Sequence, residues 1–204
     1  MTRIIGLSGG IATGKSTLAQ MFKEEKIPVI DADVLAKRLL EKGEEGYRAV
    51  VDYLGERILA PDGTICRRKL ADLIFTDATV RRGVNERIHP KVIDIIHAEI
   101  SAYKAYNPPF IVVDVPLLFE SGFSESCDTT VLVSTDRETQ IERLMRRDGI
   151  DRDYAETKID TQMPLEEKKK LADHVIDNSR NILDTKKSFK KLMETLKEGE
   201  RNEH

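Results

Sequence analysis

The chain of 204 residues is long enough for one well-buried α/β domain with inserted helical pieces. Charged residues make up 34% of it, but the two signs nearly cancel to a net charge of −3, which disfavours nucleic-acid or anionic-membrane partners. Its two cysteines, Cys66 and Cys127, are far apart, which favours a reduced cytoplasmic protein over a zinc site. No apolar run approaches the roughly 20 residues of a membrane span, so we expect no membrane partner.

The first predicted elements are an apolar strand, a glycine-rich turn and the start of a helix. Within them, Gly9, Gly14, Lys15 and Ser16 satisfy the G-x-x-x-x-G-K-[ST] pattern of a P-loop. In such a loop the backbone N–H groups hold phosphate oxygens, the lysine contacts the terminal phosphates and the hydroxyl ligates Mg²⁺. Because a strand and a helix flank the pattern, it predicts a nucleoside triphosphate site. The expected binding residues are Gly9, Gly10, Ile11, Ala12, Thr13, Gly14, Lys15, Ser16 and Thr17.

A second strand is predicted at 27–30, and it delivers Asp31 and Asp33 to the end at which open α/β sheets bind ligands. In a kinase the base has only to orient the attacking hydroxyl and finally accept its proton, so a carboxylate suits this role. We expect Asp33 to be the base and Asp31 to be a ligand of Mg²⁺ or water. The structural alternative is that Asp33 caps the helix predicted to follow at 34–40.

The block from about residue 41 to residue 106 contains no convincing strand, which predicts a helical insertion that binds the phosphate acceptor. One of its predicted helices begins at Arg67, which two further basic residues follow. These basic side chains are either solvated or face an anionic ligand. His89 and Pro90 lie inside a later helical region, which the proline should break or kink. A lone histidine such as His89 is more commonly a half-buried structural residue than a catalyst.

The third predicted strand, at 110–114, is apolar until its final carboxylate, Asp114. In a P-loop protein this is the Walker-B position, so we expect Asp114 to support Mg²⁺ together with Ser16. The apolar segment that follows either walls an acceptor pocket or packs beneath the helical insertion. Its candidate substrate-binding residues are Pro116, Leu117, Leu118, Phe119 and Glu120.

Two further strands are predicted, at 129–134 and 172–177. The helix that follows the first of them carries Arg143 and Arg147, four residues apart on one face. On a closing lid, two such arginines could stabilise charge on the transferring phosphoryl group. The alternative is a solvated helix face on which they pair with Glu138 and Glu142.

This layout is typical of small-molecule kinases, and its motifs resemble those of the dephospho-CoA kinase family. The family transfers the γ-phosphate of ATP to the 3′-hydroxyl of dephospho-CoA. The similar stretches run in the family's order from residue 4 to about residue 180, and they are GLSGGIATGKST, VIDADVLAK, DGTICRRKL, RIHPKV, VVDVPLLFE, RLMRRDG, Gln162 and HVIDNS. Two positions differ from the usual pattern, since Ala12 replaces a P-loop glycine and Arg180 replaces a small residue after an Asn-Ser pair.

The resemblance implies an α/β P-loop kinase fold, with a five-stranded parallel sheet flanked by helices, a helical acceptor-binding insertion and a helical lid. It implies one domain over residues 1–204, with a core at about 1–40, 108–136 and 171–198, the insertion at about 41–107 and the lid at about 137–170. ATP and Mg²⁺ are the implied cofactors, and dephospho-CoA is the implied substrate, phosphorylated in the last step of coenzyme A biosynthesis.

The resemblance also assigns roles to individual residues. It implies that Asp33 is the base, that Lys15, Arg143 and Arg147 complete the catalytic set, and that Asn178 lies beside the adenine. The implied acceptor-binding residues are Asp31, Asp33, Arg67, His89 and the segment 116–120.

Two alternatives remain open from the sequence. One is a kinase for another small alcohol or a nucleoside monophosphate. The other is a nucleotide-binding switch, because 157–160 loosely matches an [NT]KxD guanine motif. That segment is charged and helical in character, and Leu117 stands where a switch would have the glycine of DxxG. We expect a cytoplasmic monomer or weak homo-oligomer.

Overall fold

A five-stranded parallel sheet in the order β2-β3-β1-β4-β5 forms the framework of the computed structural model. The structure describes residues 2–202, and the surroundings of side chains over 2–198. The strands are β1 Arg3–Gly9, β2 Val29–Asp31, β3 Phe110–Asp114, β4 Thr129–Ser134 and β5 His174–Asp177. The predicted five-stranded α/β fold is confirmed, although the second and fifth strands were each predicted to begin too early.

The strand register explains why the phosphate-binding loop and the third strand's carboxylate meet. Strand β1 pairs with β3 so that Leu7 lies opposite Asp114, and β1 continues for two more residues to Gly9. On its other side β1 pairs with β4, with Gly9 opposite Val133. Parallel strands end at a common edge, so the loop after Gly9 and the carboxylate of Asp114 share one edge of the sheet.

Strands β1, β3 and β4 are largely buried, as their near-continuous apolar sequences predict. Two helices, α1 (Lys15–Glu24) and α9 (Ile182–Asn202), share a hydrophobic cluster with the sheet. Within it, the rings of Phe22 and Phe189 meet edge to face with their centroids 4.9 Å apart. Such a pair contributes about 1 kcal/mol beyond the area that it buries. The packing of α1 anchors the helix that begins at the P-loop.

The remaining helices are α2 Ala32–Leu39, α3 Glu45–Leu54, α4 Arg67–Thr76, α5 Ala78–Lys104, α6 Arg137–Asp148, α7 Arg152–Ile159 and α8 Leu165–Leu171. Four of them, α2, α5, α6 and α7, begin directly after an aspartate whose side chain accepts backbone N–H groups of the first turn. These N-caps are Asp31, Asp77, Asp136 and Asp151. Within residues 2–202, no helix is long and apolar enough to cross a membrane.

The chain forms two compact units. One contains the residues up to Ile30 and those from Tyr106 onward, and thus most of the sheet. The other, Asp31–Ala105, contains helices α2 to α5, together with a short antiparallel bridge between Leu59 and Ile65.

Helix α5 in the second unit continues through Pro90, where the sequence predicted a break or kink. Proline has no N–H group and removes one main-chain hydrogen bond, a local cost of about 3 kcal/mol in a helix interior. Buried residues lie on both sides of it, Val84 and Ile88 before and Val92 and Ile96 after, and α5 packs against α2, α3 and α4. The predicted break is therefore wrong, because tertiary packing holds the helix together across the proline.

Candidate active site

The P-loop between β1 and α1 turns through two residues with left-handed backbone, Ala12 with φ 59° and Gly14 with φ 89°. The N–H and hydroxyl of Thr13 both donate to the carbonyl of Gly10, at 3.2 and 2.9 Å, and close the turn. A Cβ on Gly14 would lie 2.1 Å from Nδ2 of Asn178, so this position has no room for a side chain. At Ala12 the conformation costs about 1–2 kcal/mol for a residue other than glycine.

Lys15, the first residue of α1, forms a hydrogen-bonded ion pair with Asp114 at the end of β3. The two site residues predicted on separate segments are thus in contact. Asp114 is only 3% exposed, and a carboxylate so buried needs a charged or hydrogen-bonding partner to remain ionised. Ser16 follows in the first helical turn and is exposed. The lysine, the hydroxyl and the carboxylate therefore occupy one end of the sheet.

Two glutamines hold the peptide groups of Ile11 inside the P-loop. The side chain of Gln140 on α6 donates to the carbonyl of Ile11 at 2.8 Å, and that of Gln162, just after α7, accepts from its N–H at 3.0 Å. Gln140 was not predicted as a site residue. The sequence feature that could have indicated this residue is its position, because Gln140 is a polar residue on the same helix face as the buried Leu144.

Asn178 follows β5 and is buried behind the P-loop. Its side chain donates to the carbonyl of Thr13 and accepts from the hydroxyl of Thr185, both at 2.7 Å. Its main-chain carbonyl accepts a hydrogen bond from Arg143 at 2.9 Å. The side chain of Asn178 therefore supports the loop, and its contact with adenine stays a prediction.

Arg143 and Arg147 lie on α6 as predicted, but their partners are not the glutamates of the same helix that formed the alternative. Arg147 pairs with its chain neighbour Asp148, with Nε 2.7 Å from Oδ1. Glu138 instead binds Arg152 on α7 through two contacts of 2.7 Å. The alternative, in which these arginines pair with Glu138, is wrong for that glutamate, because Arg152 on α7 binds both of its carboxylate oxygens.

The segment 116–120 after β3 is partly packed into the protein through Leu118, and it ends at the exposed Glu120. Leu118 is fully buried, and a Cβ on Gly6 in β1 would lie 2.9 Å from its Cδ2. The hydroxyl of Ser8 donates to the carbonyl of Pro116 at 3.1 Å. Leu118 thus belongs to the packing around β1, whereas Leu117 and Phe119 are half-buried.

In the second unit, Asp31 rather than Asp33 caps helix α2, because its Oδ1 accepts the N–H of Val34 at 3.0 Å. The structural alternative for Asp33 as the cap is wrong. The helix begins two residues earlier than predicted, so Asp33 lies in its first turn and is exposed.

The other two predicted residues of this unit lie on different helices. Arg67 is exposed at the start of α4. His89 lies on α5, and burial lowers its pKa below the ordinary value. Beside it, a groove of about 540 Å³ is lined by Ala78, Arg81, Arg82, Asn85, Glu86, His89 and Pro90.

Comparison with known proteins now identifies the family. The family model for dephospho-CoA kinase matches residues 3–184. The chain belongs to the dephospho-CoA kinase family. A dephospho-CoA kinase from Lactobacillus johnsonii is 44% identical over 96% of this chain and 99% of its own length.

Solved structures agree with this membership. A crystal structure from Thermus thermophilus superposes with a TM-score of 0.80 at 32% identity, covering 96% of this chain and 98% of that one. A dephospho-CoA kinase from Campylobacter jejuni superposes with a TM-score of 0.72 at 25% identity, covering 98% of this chain and all (100%) of the other.

In this dephospho-CoA kinase family member, the segment that suggested a guanine motif lies in and just after helix α7, as its composition indicated. Lys158 binds Asp148 at 2.9 Å, and Asp160 binds Arg137 at 2.8 Å. Both charged residues of the motif are thus engaged in surface ion pairs, and the motif itself follows no strand, which removes the support for a nucleotide-binding switch.

Proposed function

We propose that this protein transfers the γ-phosphate of ATP to the 3′-hydroxyl of dephospho-CoA, giving CoA and ADP in the last step of coenzyme A biosynthesis. The observation that carries the proposal is a P-loop in which Lys15 contacts Asp114, in a chain that belongs to the dephospho-CoA kinase family. Phosphoryl transfer needs little covalent chemistry from the protein, so positioning and charge stabilisation are the tasks that these residues must perform.

The P-loop binds the donor. Its N–H groups from Ala12 to Thr17 surround the phosphates. When ATP binds, Lys15 leaves its ion pair with Asp114 and contacts the terminal phosphates. The bonds from Gln140, Gln162 and Asn178 hold the loop in shape before ATP arrives. A loop already in its binding conformation loses little conformational freedom on binding and supports stronger electrostatic stabilisation.

Ser16 and Asp114 are the residues that would hold Mg²⁺, because hydroxyl and carboxylate oxygens are its preferred ligands. Among the residues that the structure describes, no cluster of three or more His, Cys, Asp or Glu could hold a metal ion alone. This agrees with a Mg²⁺ that takes its other ligands from phosphate oxygens and water. Bound there, the ion would neutralise charge on the transferring phosphoryl group.

Asp33 acts as the base and orients the 3′-hydroxyl of the acceptor. Chain order supports this role, since Asp33 follows the end of β2 by two residues and is exposed, whereas Asp31 is engaged as a helix cap. Arg67 and His89 of the helical unit are proposed as acceptor-binding residues, and so is the segment 116–120. Arg143 and Arg147 on α6 face the phosphates when the lid closes, and closure excludes water that would otherwise hydrolyse ATP.

An acceptor panel tests the substrate. The purified protein, ATP and Mg²⁺ are incubated with dephospho-CoA, with AMP, CMP and UMP, and with shikimate as an unrelated alcohol. We expect CoA from dephospho-CoA and a specificity constant at least about 1000-fold lower for every other acceptor. Preferential phosphorylation of a monophosphate or of another alcohol would contradict the proposal.

The Asp33→Asn variant tests the base. The amide keeps the shape of the side chain but cannot accept the proton, so we expect kcat to fall by about 100-fold or more while ATP binding stays within about twofold of wild type. Asp52→Asn, the same change at an exposed position in the same unit, is the matched control. Near-normal turnover by Asp33→Asn would remove Asp33 from this role.

A further inference from the structure

Lys168 is a buried lysine that the proposed mechanism does not use. It lies on α8, a helix rich in charged residues, yet its side chain is 0% exposed. Lysine is almost never fully buried unless it is paired, because removing an ammonium group from water is costly. The position of this side chain therefore requires an explanation.

Its ammonium group binds the segment that follows β3. Nζ of Lys168 lies 2.7 Å from Oε1 of Glu120 and donates to the carbonyl of Pro116 at 3.4 Å. The same Oε1 of Glu120 accepts the N–H of Met163 at 3.2 Å. One carboxylate oxygen thus joins α8, the loop before it and the 116–120 segment.

The loop before α8 also reaches the P-loop. Gln162 accepts the N–H of Ile11, and its neighbour Met163 donates to Glu120. Two consecutive residues therefore connect the loop that binds the donor to the segment that we assign to the acceptor. Glu120 completes this connection, and Lys168 holds Glu120 in place.

Stability alone is a weak reason to keep an ion pair whose lysine is fully buried, even though its partner Glu120 is partly exposed. Replacing such a pair by apolar residues of similar volume is often neutral or stabilising, whereas an ion pair fixes the geometry of the groups that it joins. One end of this pair lies in the segment that the proposed mechanism assigns to the acceptor, and the other lies on the helix that follows Gln162, whose side chain holds the P-loop.

We propose that Lys168 is a positioning residue for the acceptor: it fixes Glu120 and Pro116, and so holds the 116–120 segment in register with the P-loop. The proposal rests on the function given above, in which that segment contacts dephospho-CoA. Lys168 itself touches neither substrate. Its loss should therefore affect the use of dephospho-CoA and leave ATP binding largely intact.

The test is a separate measurement of KM for each substrate in Lys168→Met. We expect KM for dephospho-CoA to rise by about tenfold or more, with KM for ATP within about twofold of wild type. Lys170→Met is the matched control, because it makes the same change at an exposed position on the same helix, and we expect both of its KM values to match wild type. Wild-type values in Lys168→Met, or parallel increases for both substrates, would overturn the proposal.

A second variant covers the case in which Lys168→Met does not fold, since that change leaves Glu120 without its ion-pair partner. Lys168→Met combined with Glu120→Gln removes both charges and should be the more stable of the two by thermal unfolding. We expect it to keep the raised KM for dephospho-CoA, and a folded double variant with a wild-type KM would contradict the proposal.

The wild-type enzyme separates this inference from the function on which it rests. If wild type forms no CoA, the proposed function fails. If wild type forms CoA and Lys168→Met has wild-type KM values, only the role of Lys168 fails.

Discussion

The buried amide of Asn178 links the end of β5 to the P-loop, and Asn178→Ala removes that link. Two hydrogen bonds of 2.7 Å are lost, one to the carbonyl of Thr13 and one from the hydroxyl of Thr185. Each bond contributes about 1 kcal/mol net, and a carbonyl left unpaired in a buried place adds about 1 kcal/mol more. We therefore expect the free energy of unfolding to fall by about 3 kcal/mol.

In a chain of this length that loss corresponds to a decrease in Tm of about 6–12 °C. Since the same side chain holds the loop at Thr13, we also expect KM for ATP to rise by about fivefold or more. Thermal unfolding and steady-state kinetics measure the two effects. The matched control for KM is the neighbouring Ser179→Ala, because the hydroxyl that it removes bonds to the carboxylate of Asp177, while both hydrogen bonds of the Asn178 side chain remain.

The reasoning would be refuted by an Asn178→Ala protein with the Tm and ATP KM of wild type. A lower Tm with an unchanged KM for ATP would refute the functional half, because the P-loop would then keep its shape without the amide.

Two further predictions concern the P-loop and the ion pairs of α6 and α7, which we propose as part of the lid. Ala12→Gly relieves about 1–2 kcal/mol of strain from the left-handed backbone and costs about 0.4–1 kcal/mol through the greater entropy of the unfolded chain. We therefore expect a small rise in Tm. A lower Tm would show that Ala12 is not strained. Hydrogen bonds from Arg147 and then Lys158 lower the pKa of Asp148 from 3.8 to about 2. Because that pKa is depressed, the stabilisation by the ionised carboxylate is present above about pH 4 and is lost as the pH falls towards about 2. The Tm of Asp148→Asn should therefore fall less than the Tm of wild type over this pH range. An identical acid profile would contradict the assignment.

The P-loop could be predicted because its chemistry lies in one continuous stretch with a strand before it and a helix after it. The contact between Lys15 and Asp114 was also predictable, since parallel strands bring their ends to one edge.

The hydrogen bond from Gln140 to the P-loop could not be predicted. It joins residues 129 apart in sequence, and a polar residue on the same helix face as Leu144 does not show which backbone group it contacts. The burial of Lys168 was equally hidden, because its helix has the charged sequence that usually marks a solvated surface. Both depend on how α6 and α8 pack, which composition and periodicity do not determine.

Two expectations at helix boundaries differ from the structure for a common reason. Local preference alone favoured a break or kink at Pro90, and it offered a cap at Asp33 as the structural alternative to its role as the base. In the structure, packing carries α5 across the proline, and α2 begins directly after β2, so that Asp31 becomes the cap. A shift of two residues at a helix start therefore changed which carboxylate caps the helix.

The most direct test of the proposed function follows the transferred phosphate. ATP labelled at the γ-position is incubated with the enzyme and dephospho-CoA, and the products are separated and their phosphate positions determined by NMR. The account predicts that the label appears on the 3′-oxygen of CoA, with one ADP formed for each CoA. Label released as inorganic phosphate, or found at any other position, would contradict it.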